Sequence, residues 1–139
     1  MSPRRHREEF CESRARLSDV DFCVRLNVPV EKHPFVAATR EALGRVCKVP
    51  AVLIYPEDRP DVFWKMIWDW DPLNVILELE SILNVALDRR LSEELPPLFV
   101  WGQLIVQFRK PFIYRRPAGP SNVGEWTVRV ADYLAGKLR

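Results

Sequence analysis

The chain is short of the residues that most often announce chemistry. Two histidines, His6 and His33, and three cysteines, Cys11, Cys23 and Cys47, are its whole supply. The cysteines are odd in number and widely spaced, which denies them the close pairs of a structural zinc site or a redox dithiol and leaves free thiols in a reducing compartment as the plain reading. With only 5 glycines there is no glycine-rich loop to cradle a phosphate. No run of apolar residues is long enough to span a bilayer, and the charged start MSPRRHREEF is followed by no apolar stretch of signal-peptide length, so the expectation is a cytoplasmic protein with no membrane segment. Charge of one sign is lacking as well: 21 basic residues stand against 19 acidic ones. That balance makes neither nucleic acid nor an anionic membrane the obvious partner.

What is present is the material of an ordinary folded domain, with 47% hydrophobic and 29% charged residues and 12 prolines to stiffen the connections. Residues 1–18 form a charged N-terminal arm, in which PRRHREEFCESRARL is either a short solvated helix or a segment without fixed shape. Residues 19–139 form the domain. Over 20–28 the alternation of Val20, Phe22, Val24, Leu26 and Val28 fits a strand, while Phe22, Leu26 and Val30 fit a helix, and helix is preferred because no second alternating strand lies near enough to pair.

From Phe35 to Lys48, Pro34 favours a helix start; Val36, Leu43, Val46 and Cys47 fall on one stripe, Arg40, Glu41, Arg45 and Lys48 fall off it, and Pro50 ends it. The stretch VPAVLIYPEDRPDVF, 49–63, reads as an ordered crossing loop anchored by Ile54 and Tyr55. Val75, Ile76, Leu79, Ile82 and Leu83 mark the strongest helix, with Asn84 suited to the turn that closes it. Asn122 and Glu125 have the spacing of a capping box, ahead of a terminal helix with Val123, Thr127, Val130, Leu134 and Leu138 on one stripe. Residues 98–117, LFVWGQLIVQFRKPFIYRRP, leave strand and helix both open.

The order of LIYPEDRP, VILELESILNVAL and NVGEWTVRV resembles the acyl and peptidyl carrier proteins, small four-helix bundles whose second helix starts with a serine bearing phosphopantetheine. The resemblance covers roughly 35–95 and 121–138. It implies a mainly α fold, an acyl-carrier-like four-helix bundle with an inserted segment at about 98–120 in which short strands remain open. At the attachment point the chain departs from the family. Aligned on the helix body the serine's place holds Asp69, and aligned on the word DPLN it holds Pro72. Neither offers a hydroxyl. Ser81 lies about two turns further along the helix, away from its exposed start. The first turn of a helix, with unpaired N–H groups and partial positive charge, suits an aspartate as well as a phosphate, so Asp69 or Asp71 can serve as a cap.

The expectation is therefore a non-catalytic domain of carrier-like fold that has lost phosphopantetheine attachment, carries no cofactor and works by binding another protein. Trp64, Trp68 and Trp70, with Phe63 and Ile67, concentrate large rings within eight residues; on a helix Phe63, Trp64, Ile67 and Trp68 share a face, which either packs the domain or forms a protein-binding hot spot. Arg109, Lys110, Arg115 and Arg116 alternate with Phe108, Phe112 and Tyr114, a mixture that suits a second contact surface, or the phosphates and stacked bases of a single-stranded nucleic acid. Two alternatives follow: a working acyl carrier using another serine, and a nucleic-acid-binding module through 108–116. Glu78 and Glu80 point in different directions on a helix and cannot act as an acid–base pair. Glu93 and Glu94 read as a solvated turn. Cys47 with His33 is the one nucleophile and base pairing to consider; a buried structural thiol is the reading preferred.

Overall fold

Proline opens four of the six helices described and a left-handed residue follows four of them. The computed structural model describes residues 1–68, 72–87 and 122–137, and among these it is mainly helical, with no strand. Six α-helices are found there: α1 (Pro3–Cys11), α2 (Asp19–Arg25), α3 (His33–Cys47), α4 (Pro60–Trp64), α5 (Pro72–Leu83) and α6 (Val123–Lys137), with single 3₁₀ turns at Val30–Lys32 and Ala51–Leu53. Pro3, Pro34, Pro60 and Pro72 all stand in the first two positions of a helix, where the missing N–H has no intrahelical partner to lose and φ is already helical. At the other ends Ser13, Asn27, Lys48 and Asn84 take positive φ, at 62°, 54°, 61° and 52°. Glycine usually supplies this conformation, and in a chain with so little of it the task falls to side chains. The amides that follow Asn27, Lys48 and Asn84 reach back five residues: Val28 N–H to Cys23 O, Val49 N–H to Gly44 O and Val85 N–H to Glu80 O.

Helix α3 is the centre. It packs against α5, α6 and α2, and its Val36, Ala42, Leu43 and Cys47 are fully buried. Facing them are Val75, Ile76 and Leu79 of α5, and Val123, Val130, Ala131 and Leu134 of α6. The stripes read from the sequence for α5 and α6 thus face the core, with Leu138 outside the described residues. Each fully buried Val, Leu or Ile contributes about 1.5–3 kcal/mol. Gly44 lets α3 close on the loop that follows, because a Cβ there would lie 2.8 Å from the Val49 carbonyl oxygen.

Three sequence expectations are met only in part or change. The helix preferred over 20–28 is present but ends at Arg25, and of the stripe Phe22, Leu26 and Val30, only Phe22 is fully buried while Val30 is 76% exposed; the positive φ at Asn27 turns the chain before the stripe is complete. Within 3–17, α1 is a helix whose Phe10 is buried and meets Phe63 edge-on at 5.4 Å between ring centres. Arg40, placed on the polar side of α3 by its pattern, is completely buried. It lies under α2 and the 54–58 loop, and its guanidinium makes that possible by donating to Ile54 O (3.1 and 2.8 Å), Leu17 O (2.8 Å) and Asp19 Oδ1 (2.9 Å) while stacking 4.6 Å from the Phe22 ring centre.

The proline-marked loop is as ordered as a helix. Asp58 accepts two bonds from Arg14, both 2.7 Å, and one from the Tyr55 N–H at 2.7 Å. Arg14 also lies over Phe10 and Tyr55 and donates to Leu53 O. Carbonyls of the same loop receive the first amides of α6, Val123 N–H on Asp58 O at 2.9 Å and Gly124 N–H on Pro56 O at 2.8 Å. Ile54 is buried and Tyr55 half-buried, its hydroxyl donating to Ala15 O. Both expected anchors serve.

Candidate functional site

The tryptophan-rich stretch does not form one helical face. Helix α4 stops at Trp64, a turn occupies 65–66, and the residues then diverge: Phe63 and Met66 are buried, Ile67 half-buried, and Trp68 83% exposed. Helical spacing fails here because the helix ends before the spacing can act. Trp70 and Asp69 lie outside the described residues, as do Arg109, Lys110, Arg115, Arg116 and the whole of 98–120.

Trp68 lies at the rim of an open cleft of about 400 Å³, bounded by Arg7 of α1, Val46 and Lys48 at the end of α3, Ile67, and Asn74, Leu77 and Glu78 of α5. Leu77 is 43% exposed because it falls off the buried stripe of α5, between Ile76 and Glu78. Arg7 Nη1 donates to Met66 O at 2.7 Å, which ties α1 to the turn that presents Trp68. Glu78 is reached by Arg45 at 3.4 Å, and Arg45 also reaches Glu41 at 3.3 Å. Among the described residues the Lys48 ammonium has neither ion pair nor hydrogen bond. The cleft therefore joins an aromatic and an aliphatic surface to two cations and one already-partnered carboxylate.

Sequence reasoning found Trp68 but missed Arg7, Lys48 and Leu77. Leu77 carried a signal, being a large apolar residue off the helix stripe. Arg7 and Lys48 carried none, since one sits in a charged segment and the other just past a helix end, where bases are common.

Helix α5 begins at Pro72, which has no hydroxyl, and Ser81 is exposed in its third turn. Glu78 turns to Arg45 while a Glu80 carboxylate oxygen accepts the Leu87 N–H at 2.9 Å, so the two carboxylates serve different contacts.

Cys47 and His33 occupy opposite ends of α3, fourteen residues apart along one helix, or roughly 21 Å at the helical rise. They cannot meet. The Cys47 thiol is buried in the core and burial pushes its pKa up to about 12, with Arg7 pulling weakly the other way. Such a thiol stays protonated and unreactive at neutral pH. Burial, with Asp19 adding and Arg40 opposing, also raises Cys23. The His33 ring shares a hydrogen bond of 2.9 Å with Val28 O, a local contact at the helix start. No group of three or more metal-ligating side chains gathers among the described residues, and no helix there is long and apolar enough to cross a membrane.

Comparison of the chain with family models, with curated proteins and with solved structures finds no match.

Proposed function

We propose that this chain is a carrier-like helical bundle that has given up phosphopantetheine and acts by binding another protein. The observation that carries the reading is Trp68, a large ring held 83% exposed in the lining of an open cleft that also presents Leu77. Exposed tryptophan beside aliphatic surface is costly for an isolated domain and is the residue type most enriched where partners bind. The order of α3, the ordered 54–58 loop, α5 and α6 agrees with the carrier resemblance, and the proline at the head of α5 agrees with lost attachment. Among the described residues the buried Cys47 thiol is held neutral, and Glu78 and Glu80 are engaged in separate contacts.

Two measurements test the two halves of the reading. Mass spectrometry after incubation with a phosphopantetheinyl transferase and coenzyme A is expected to show the unmodified mass; a phosphopantetheine adduct, mapped to Ser81 or any other serine, would restore a working carrier. Crosslinking from a photoreactive residue placed at position 77 in the producing cell is expected to trap protein. A crosslink pattern unchanged from that of a probe at exposed Val24 would remove the cleft from consideration.

A further inference from the structure

The lining of the cleft beside Trp68 is chemically mixed, and the mixture specifies what it can hold. Of its apolar residues Trp68 and Leu77 are exposed and Ile67 is half-buried. Of its polar residues Arg7 spends one nitrogen on Met66 O, and Lys48 has no side-chain partner among the described residues. Glu78, the carboxylate among the lining residues, is met by Arg45. Thus the described walls carry positive charge in excess, next to an uncovered apolar surface. Arg7, Val46, Asn74, Leu77 and Glu78 stand on helices and Lys48 just past one, and Arg7 holds the turn that precedes Trp68, so most of the surface is preformed, which lowers the ordering cost an occupant would meet.

From this complementarity we infer that the cleft receives a segment of a partner protein that pairs a bulky apolar side chain with a nearby carboxylate, the apolar group lying on Trp68 and Leu77 and the carboxylate on Lys48 and Arg7. The inference rests on the protein-binding reading and names the chemistry of the partner. An enclosed small-molecule pocket would surround its ligand, whereas this cleft is open to solvent and suits a stretch of chain. A basic segment would set its charge against Arg7 and Lys48. An uncharged apolar segment would leave both cations desolvated without compensation.

The test is selection of a random displayed peptide library on the full chain, followed by fluorescence-polarisation titration of the selected peptides. Selected sequences are expected to place Asp or Glu within a few positions of Trp, Phe or Leu. Trp68→Ala and Lys48→Asn are each expected to weaken them about tenfold, above the roughly fivefold loss that separates contributing interface residues from neutral ones. Val24→Ala, at an exposed valine of α2, is expected to leave binding unchanged. Asparagine tolerates positive φ, so Lys48→Asn keeps the helix end, and circular dichroism with thermal melting verifies that both variants fold. Selected peptides without a carboxylate, or peptides equally tight on Trp68→Ala and Lys48→Asn, overturn the inference while leaving a protein-binding function elsewhere on the chain intact. Failure to select any binder removes both.

Discussion

Arg40 shows how a single side chain can organise a fold against its own polarity. Its guanidinium satisfies carbonyls at Leu17 and Ile54 and the carboxylate of Asp19 from a position with no solvent exposure. Replacing it with methionine fills similar volume but orphans those carbonyls in the interior. Arg40→Met is therefore expected to lower stability by about 2–6 kcal/mol, about 1–3 kcal/mol for each of the two carbonyls left unpaired, measured by urea denaturation. A loss below about 1 kcal/mol would place this arginine among surface residues.

The buried thiols give the molecule an alkaline weakness. Because folding raises Cys47 from its ordinary value of 9.0 to about 12, its contribution is fully present below pH 9 and is lost as pH rises towards 12. In that window the unfolded chain releases a proton that the folded chain retains. The slope approaches about 1.4 kcal/mol per pH unit for one proton, and Cys23 acts in the same direction. Denaturation midpoints of the parent chain and Cys47→Ala, compared between pH 8.5 and 11, should converge with rising pH. Parallel curves would show that Cys47 does not titrate in the fold as its burial requires.

At the scale of elements, helix ends and close approaches decide where the chain turns. Gly44 sits where α3 meets the loop beyond it, with the Val49 oxygen and Ala51 backbone in the space a methyl would need. Gly44→Ala would normally favour a helix by up to about 1 kcal/mol. Here the neighbour is backbone and cannot swing away, so a net loss of about 1–3 kcal/mol is expected, read as a lowered thermal midpoint. An unchanged or raised midpoint would mean that α3 and the 49–51 backbone are not held this close.

Much at this scale was readable beforehand. Pro34, Pro50, Asn84 and the Asn122–Glu125 spacing marked boundaries through purely local chemistry, and Asn122 Oδ1 does accept the Glu125 N–H, at 2.8 Å. The Trp64–Trp68 face failed for a reason of the same kind. Periodicity states which residues would share a face if a helix continued, and nothing local announced that α4 would end after five residues.

At the scale of the molecule, α1 belongs to the packed structure. Phe10 is buried against Phe63, Arg7 holds the turn before Trp68, and Arg14 clamps Asp58. Phe10→Ala is expected to cost about 3–5 kcal/mol, as for a core phenylalanine, seen as an earlier urea midpoint. A solvated arm would give a change near zero. Arg7 also links this packing to the cleft, so loosening α1 should reduce peptide binding through Trp68 without touching it.

Amphipathic stripes, proline starts and polar caps act over a few residues, and so the mainly helical character of the described chain, the positions of α3, α5 and α6, and the buried faces of α5 and α6 follow from local pattern alone. The interior place of Arg40, the docking of α1 and the cleft joining Arg7, Lys48, Trp68 and Leu77 arise only from packing. Each of these depends on groups far apart in sequence meeting in space: carbonyls at 17 and 54 for a guanidinium at 40, a ring at 63 for one at 10. No local pattern encodes such meetings, because the energy that rewards them exists only once the helices have packed.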